Sequence, residues 1–366
     1  MIGLAAPIVA MGFGMPATDS HLGNAELGEL LWRAAIDETT HRRRALERAA
    51  RAARFWPEEA FDLANAGRSL TELRAVGPWV AARMHDWLDA PPEVPEPDET
   101  RKAFLTYAEV RRVLDADPAW EATPHADLQV HSTDSDGALP FPEMAEAARA
   151  LGRTYIASTD HSSSLRIARG MTAEELADQG RRIDALNEAF ARENDPFRVL
   201  RSIEMDVFID GTFDMGPADL APLDLVLGAF HTKLRVPDDM TERYLAALGN
   251  REVHVLAHPK ARMYGRRVGL TADWPRVFAE AARLGKAVEL DATPSRQDLS
   301  VELARAASAA GVRWFSIGSD AHSAAELEFL PFGMATAALA GIPRDRVLNY
   351  RPASEVVAWA KELSAT

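Results

Sequence analysis

The chain has 366 residues, of which 47% are apolar and 26% are charged, enough material for a buried core in one or two domains. It contains no cysteine, which excludes disulfide bonds, thiolate metal sites and cysteine nucleophiles, so any bound metal must use His and carboxylate ligands. The formal net charge of −14 argues against a surface built throughout for nucleic acid, although it is compatible with a local basic face.

The first segment, residues 1–20, is rich in apolar residues but lacks a basic start and contains Pro7. We therefore interpret it as a disordered extension rather than a signal peptide. No apolar run reaches the roughly 20 residues that a transmembrane helix requires. We expect no membrane partner and a cytoplasmic location.

Residues 21–90 show the pattern of a small all-α domain. Leu27, Leu30 and Leu31 recur at helical spacing, and residues 42–54 form a second amphipathic pattern. A third helix is predicted to open at Ser69, followed by a tight turn at residues 74–78 and another helix. Between residues 41 and 83 there are nine arginines against five acidic residues. This basic face either binds nucleic acid or is an ordinary solvated surface.

Residues 91–124 connect this domain to the rest of the chain. They begin with a segment rich in Pro and acidic residues, which is stiff and polar and cannot join a core. A connecting helix is predicted over Arg101–Asp115.

From residue 125 onward, short apolar strands alternate with amphipathic helices, for example over Phe141–Leu151, Ala173–Arg192, Trp274–Leu284 and Ser300–Ala310. Such alternation predicts parallel strands, and seven units over some 240 residues favour a barrel over an open sheet. The predicted strands are Asp127–His131, Tyr155–Ser158, Val199–Ile203, Leu223–Ala229, Val253–Ala257, Ala287–Leu290 and Trp314–Ile317.

Each predicted strand ends at or near a side chain that can bind a metal ion. The carboxyl ends of parallel barrel strands lie on one rim, so we expect these side chains to converge there. Crowded carboxylates and imidazoles need a compensating cation, which makes a metal centre the economical interpretation. In chain order these residues are Gln129 and His131, Asp160 and His161, Glu204 and Asp206, His231, His258, Glu289 and Asp291, and Asp320 and His322.

This ordered set resembles the PHP (polymerase and histidinol phosphatase) superfamily. The resemblance implies an α/β fold, a distorted seven-stranded (β/α)7 TIM-like barrel, over residues 125–366. It is nearest to the C-terminal PHP domain of bacterial family X DNA polymerases. The motifs that carry it are His131-x(4)-Asp136-Gly137, Thr159-Asp160-His161, Glu204-x-Asp206, His258-Pro259 and Gly318-Ser319-Asp320-Ala321-His322.

Residues 21–90 resemble the helix-hairpin-helix module of the same polymerases, which implies a contact with DNA. Leu73 and Gly77 keep the hairpin pattern, whereas Ala75 replaces its first glycine. The few residues between the two parts leave no space for a polymerase palm, so we expect no DNA polymerisation.

The resemblance also implies the site residues. Catalytic roles fall to Glu204, Asp320 and His161. Apart from the resemblance, four cationic residues lie just past strand ends and either hold the substrate phosphate or are exposed surface cations: Lys260, Arg262, Arg166 and Arg296. Gln129 departs from the family's histidine, which implies weaker binding of one ion. Two or three divalent ions, Mn²⁺ or Zn²⁺ with iron as a further candidate, would be held by Gln129, His131, Asp136, His161, Glu204, His231, His258, Asp320 and His322.

The function implied is that of a metal-dependent phosphoesterase. It would hydrolyse a phosphomonoester, or a DNA 3′-end phosphate or phosphodiester in DNA repair, through a metal-bridging hydroxide. Two alternatives stay open. One is a small-molecule phosphatase acting on a histidinol-phosphate-like substrate, and the other is a non-catalytic DNA-binding accessory with a degenerate metal site.

Overall fold

A computed structural model describes residues 21–365, so the extension predicted at residues 1–20 lies outside the described residues. The chain divides into two compact units, one ending at Glu96 and the other beginning at Pro97. The division falls inside the Pro-rich acidic segment.

In the first unit, residues 21–96 form helices and no strand. Leu31, Leu46, Trp56 and Leu63 are fully buried at its core. The helix predicted to open at Ser69 is only a 3-10 turn over Leu70–Glu72, because the backbone becomes extended at Leu73. The four α-helices are α1 Asn24–Ile36, α2 Thr40–Ala53, α3 Ala60–Asn65 and α4 Pro78–Asp89.

The second unit opens with a 3-10 turn at Glu99–Arg101 and the helices α5 (Tyr107–Ala116) and α6 (Ala119–Ala122). The prediction of a helix from Arg101 was wrong at its start. Thr106 and Glu109 form a reciprocal capping box, with each side chain accepting a hydrogen bond from the other residue's backbone N–H. That pair fixes the first turn at Tyr107.

Seven parallel strands follow and pair in chain order, each with the next. The ring nearly closes, because Val130 and Ala321 form a parallel bridge and the His131 N–H donates to the Ala321 carbonyl at 2.8 Å. The predicted parallel seven-stranded barrel is therefore confirmed. The strands are β1 Asp127–Val130, β2 Tyr155–Ser158, β3 Arg198–Asp206, β4 Leu225–Ala229, β5 Val255–Leu256, β6 Ala287–Asp291 and β7 Trp314–Gly318.

Eight further helices belong to this unit. In α11, for example, Val277, Phe278 and Ala281 recur at helical spacing and are fully buried. Across residues 21–365, no helix is long and apolar enough to cross a membrane. The eight are α7 Phe141–Ala150, α8 Ala173–Arg192, α9 Pro217–Leu220, α10 Thr241–Gly249, α11 Trp274–Leu284, α12 Val301–Ala309, α13 Leu330–Leu339 and α14 Ala353–Ala365.

Candidate metal centre

Glu204, near the carboxyl end of β3, lies at the middle of the candidate site and is 1% exposed. Its Oε1 is 2.6 Å from His258 Nε2 and 3.2 Å from His231 Nε2. Its Oε2 is 3.3 Å from both His131 Nε2 and His161 Nδ1. One buried carboxylate thus faces four imidazoles that follow four different strands.

Two further carboxylates complete the cluster. Asp320 Oδ1, after β7, lies 3.0 Å from His131 Nε2. Asp136 Oδ1, in the loop after β1, lies 3.2 Å from His322 Nε2 and 3.6 Å from His161 Nε2. The rings of His131 and His322 stack with centroids 4.2 Å apart.

These side chains form three overlapping groups that could each hold a metal ion. Within each group, every residue offers a ligand atom within 4.8 Å of the others. Seven of the nine predicted ligands belong to these groups; His258 lies 2.6 Å from Glu204 outside them, and Gln129 does not contribute. The groups are His131, Asp136, His161 and His322; His161, Glu204 and His231; and His131, Glu204 and Asp320.

The residues present fit divalent cations. Both ring nitrogens of His131 and the Nδ1 of His161 are buried and have no hydrogen-bond partner, although carboxylate oxygens lie 3.0–3.3 Å from two of them. A buried polar atom without a hydrogen bond is costly unless something else coordinates it. Mixed imidazole and carboxylate donors suit zinc, manganese or iron.

Electrostatics within the cluster are dominated by burial and by the carboxylates. Burial alone would raise the pKa of Glu204, but the imidazoles, His161 first, hold it well below its usual value. Burial opposes protonation of His231, yet Glu204 and Asp206 raise its pKa to about 9. Burial lowers the pKa of His161 to about 4. The carboxylates are thus ionised and ready to bind cations.

Other acidic residues hold the ligands in place. Asp206 Oδ1 accepts hydrogen bonds from the His231 backbone N–H at 3.2 Å and lies 3.3 Å from its Nδ1, which directs Nε2 toward Glu204. The backbones of His258 and Asp320 have φ values of 24° and 51°, in a region that non-glycine residues rarely adopt. The strand ends therefore turn sharply where these two side chains enter the cluster.

Asp160 was predicted as one of the metal-capable strand ends, but the structure uses it to bind loops. It accepts hydrogen bonds from the Ser132 N–H and hydroxyl at 2.8 Å, the Ser135 hydroxyl at 2.6 Å and the Gln179 amide at 2.7 Å. It is fully buried. Asp160 therefore fixes the loop that carries Asp136, a role that the sequence pattern alone did not reveal.

The side chains of Gln129 and Glu289 form a hydrogen-bonded pair beside the cluster. The orientation of the Gln129 amide that satisfies its surroundings directs the nitrogen to Glu289, 2.7 Å from Oε1 and 3.1 Å from Oε2. Glu289 Oε2 also accepts the His258 N–H at 2.7 Å. Gly318 makes room for the pair, because a Cβ there would lie 2.6 Å from both Gln129 Cβ and Glu289 Oε1.

Arg296 is the one predicted phosphate-binding residue that contacts the cluster. Its Nη1 lies 2.9 Å from Asp320 Oδ2 and 3.6 Å from Asp291 Oδ2. Burial would lower the pKa of Arg296, but these carboxylates raise it above its ordinary value. Burial and the charge of Asp291 also raise the pKa of Glu289 well above its ordinary value.

The phosphate-binding prediction for Arg262 does not fit the structure. Its buried guanidinium donates to the backbone carbonyls of Ala103, Arg296 and Gln297 at 2.8–3.0 Å and stacks over Phe104. These bonds use the donors that a phosphate would need. Arg262 is a structural clamp between two segments of the chain.

The other two predicted phosphate ligands lie elsewhere on the loops. The Lys260 ammonium donates to the Leu270 carbonyl at 3.3 Å, and burial lowers its pKa. Arg166 is exposed in a 3-10 turn after β2. Asp298, which the sequence did not single out, accepts the backbone N–H groups of Lys260 and Arg262 and so shapes the loop after β5.

The chain is similar in sequence to several known bacterial proteins. DNA polymerase/3′-5′ exonuclease PolX of Bacillus subtilis (strain 168) is 40% identical to this chain over 236 residues, 64% of this chain and 40% of PolX. A probable phosphatase of Citrobacter koseri is 27% identical over 233 residues, 62% of this chain and 90% of that protein. No protein-family model matches the chain. The chain thus spans less than half of the polymerase it matches.

Two solved structures are similar to parts of the chain. Histidinol phosphate phosphatase from Lactococcus lactis, complexed with zinc, L-histidinol and phosphate, has a TM-score of 0.37 at 14% identity and covers 66% of this chain and 92% of its own. The putative histidinol phosphatase of Listeria monocytogenes has a TM-score of 0.42 at 12% identity, with coverages of 55% and 96%. The sequence relationships confirm the resemblance to the PHP superfamily that the motifs indicated.

Proposed function

We propose that this protein is a metal-dependent phosphoesterase. The observation that carries the proposal is the set of three overlapping ligand groups, which share Glu204, His131 and His161 at one rim of the barrel. Closely spaced cations at such a rim are suited to phosphoryl transfer, because they stabilise the charge that develops on the phosphate oxygens. Sequence similarity to probable phosphatases supports the same reaction class.

The chain's own residues would hold the ions and orient the reaction. The three groups would bind two or three divalent ions, Zn²⁺ or Mn²⁺ with iron as a further candidate, and Glu204 would bridge two of them. Bound ions would supply Lewis-acid stabilisation of a phosphoryl group. Asp206 would keep the His231 ring in its binding orientation, and Asp320 would be shared between His131 and Arg296.

Elemental analysis and hydrolysis of a generic aryl phosphate test this proposal. We expect bound metal and turnover in the wild type, and reduced metal content with loss of turnover in Glu204→Ala and His161→Ala. Equal turnover in the wild type and both variants would remove the enzymatic proposal and favour a non-catalytic accessory protein. Chelation followed by re-addition of single metals would identify the ion that restores turnover.

A DNA 3′ end is the substrate favoured by the basic residues on one side of the rim. Arg235, Arg266 and Arg267 follow β4 and β5, and no carboxylate in residues 21–365 forms an ion pair with them. Burial lowers the pKa of Arg267, and the charges of Arg296, Arg235 and Arg266 lower it further, so these cations lie near one another. Clustered arginines favour a ligand that carries several phosphates.

The helical unit offers a second observation in favour of DNA. Ala75, in the turn before α4, has a φ of 67° and is exposed, so it adopts the left-handed conformation for which a hairpin glycine is suited. On α2, Arg44 and Arg48 are exposed. Such a hairpin presents backbone N–H groups to a phosphate, and nearby arginines add charge.

A small phosphomonoester with a cationic leaving group is the alternative, and a cleft on the opposite side of the rim favours it. The cleft is lined by Asp134, Glu174, Glu175 and Asp178, together with Arg181 and Arg182. Excess acidic charge there suits an amine better than a chain of phosphates.

Gel shifts and a substrate panel separate the two substrates. If DNA is the substrate, binding to single-stranded or gapped DNA weakens steeply with salt, because phosphate contacts release counterions. Hydrolysis would then favour 3′-end phosphates over amino-alcohol phosphates. Hydrolysis of histidinol phosphate without any gel shift would instead establish the small-molecule alternative.

A further inference from the structure

Positive charge at Asp320 comes from an arginine as well as from histidine. Arg296 Nη1 lies 2.9 Å from one oxygen of Asp320, and His131 Nε2 lies 3.0 Å from the other. The same nitrogen of Arg296 is 3.6 Å from Asp291, whose carboxylate is buried. One oxygen of Asp320 is therefore paired with the Arg296 guanidinium, and the other faces His131 in the ligand group.

Gln129, which stands next to this group, is committed to a different partner. Its amide nitrogen is directed at both oxygens of Glu289, and Glu289 in turn accepts the His258 N–H. Gly318 leaves the pair no spare space, since even a Cβ there would clash with both side chains. A side chain held in this way is a hydrogen-bonding partner of Glu289 rather than a fourth metal ligand.

Within the described part of the chain, Glu204, unlike Asp320, is not paired with an arginine or lysine. In residues 21–365, no arginine or lysine lies within 4 Å of the carboxylate of Glu204, which faces only histidines. Arg296 therefore offsets the charge of Asp320, whereas no arginine or lysine in the described residues pairs with Glu204. A divalent cation approaching Asp320 is repelled by a charge that is already bound there.

We propose that Arg296 is a resident cation of the centre, and that the group of His131, Glu204 and Asp320 binds its divalent ion with three protein ligands and with the lowest affinity. The proposal rests on the metal binding proposed above. It implies that the fully loaded centre exists only at raised metal concentration. Arg296 supplies part of the positive charge when that ion is absent.

The test is a calorimetric titration of metal-free protein with Zn²⁺ and, separately, with Mn²⁺. We expect stepwise binding in the wild type, and in Arg296→Gln a rise of about tenfold or more in the affinity of the weakest step, equivalent to about 1.4 kcal/mol. Arg296→Lys keeps the charge and should keep the weak step. Arg169→Gln is the matched control, because it removes an exposed arginine in the loop after β2.

A weakest step that is unchanged or weaker in Arg296→Gln would overturn the inference. If the same variant instead raised the inhibition constant of inorganic phosphate, Arg296 would be reassigned to the substrate. Failure of every form to bind metal would overturn the proposed function itself, which keeps the two failures distinct.

A second measurement uses the wild type and does not depend on whether a variant folds. In crystals soaked with Zn²⁺ at increasing concentration, we expect the ion at Asp320 to fill last, with Arg296 still paired to Asp320. Filling of that position first, or displacement of the guanidinium from Asp320, would refute the proposal.

Discussion

Replacing Glu204 with glutamine is the sharpest test of the metal centre, because it keeps the shape of the side chain and removes its charge. The two oxygens lie 2.6–3.3 Å from nitrogens of four histidines, so any cation bound among them is close to this carboxylate. Loss of one unit charge about 4 Å from another, at an effective dielectric constant of 20, costs about 4 kcal/mol. That corresponds to about a thousandfold loss of metal affinity.

The assay for Glu204→Gln combines elemental analysis after dialysis, calorimetric titration and aryl phosphate hydrolysis. We expect loss of metal at the two groups that share Glu204, while His131, Asp136, His161 and His322 can still bind an ion. Turnover should fall by about two to three orders of magnitude. Glu143→Gln, the same change at an exposed position of α7, should behave as the wild type. Wild-type metal content and turnover in Glu204→Gln would refute the reasoning.

Three further predictions concern stability. Ala75→Gly should stabilise the helical unit against urea by about 0.5–1 kcal/mol, because glycine tolerates the positive φ, whereas Ala64→Gly within α3 should destabilise it by a similar amount. Arg262→Met should lower the free energy of unfolding by about 3 kcal/mol, since buried carbonyls lose a charged donor, and should leave inhibition by phosphate unchanged. Burial and the charge of Lys286 lower the pKa of His254 to about 3 from 6.5, so folding favours its neutral form. The contribution of His254 to the free energy of unfolding should be fully present above pH 6.5. It should fall by up to about 1.4 kcal/mol per pH unit as the pH decreases towards 3, and His254→Asn should flatten this dependence in acid denaturation.

The barrel and the position of its site could be predicted because both are carried by local patterns. Alternation of short apolar strands with helices specifies parallel pairing, and parallel pairing brings the strand ends to one rim. Residues as distant in sequence as His131 and Asp320 therefore had to be neighbours once the topology was known. The structure places their side chains 3.0 Å apart.

The direction of a side chain on a loop could not be predicted in the same way. Arg262 and Arg296 both follow strand ends, yet Arg262 turns to the carbonyl of Ala103, 159 residues earlier, while Arg296 turns to Asp320. The start of α5 was missed for a related reason. Its cap depends on Thr106 and Glu109 acting together, and Ala103 just upstream has a φ of 57°, which a right-handed helix does not contain.

Aspartates at the strand ends show most clearly where the sequence pattern stops being informative. Asp160 and Asp320 have the same chemistry and equivalent positions, but Asp320 faces an imidazole and Asp160 accepts five hydrogen bonds from hydroxyl, amide and backbone donors. The donors that decide between these roles lie on other segments, at Ser132 and Ser135 in the loop after β1 and at Gln179 in α8. A carboxylate whose lone pairs are already used by such donors has little left to offer a cation, whereas one facing an unpaired imidazole nitrogen does. The distinction between a metal ligand and its support is therefore set by the hydrogen bonds around each carboxylate, and only the folded chain reveals them.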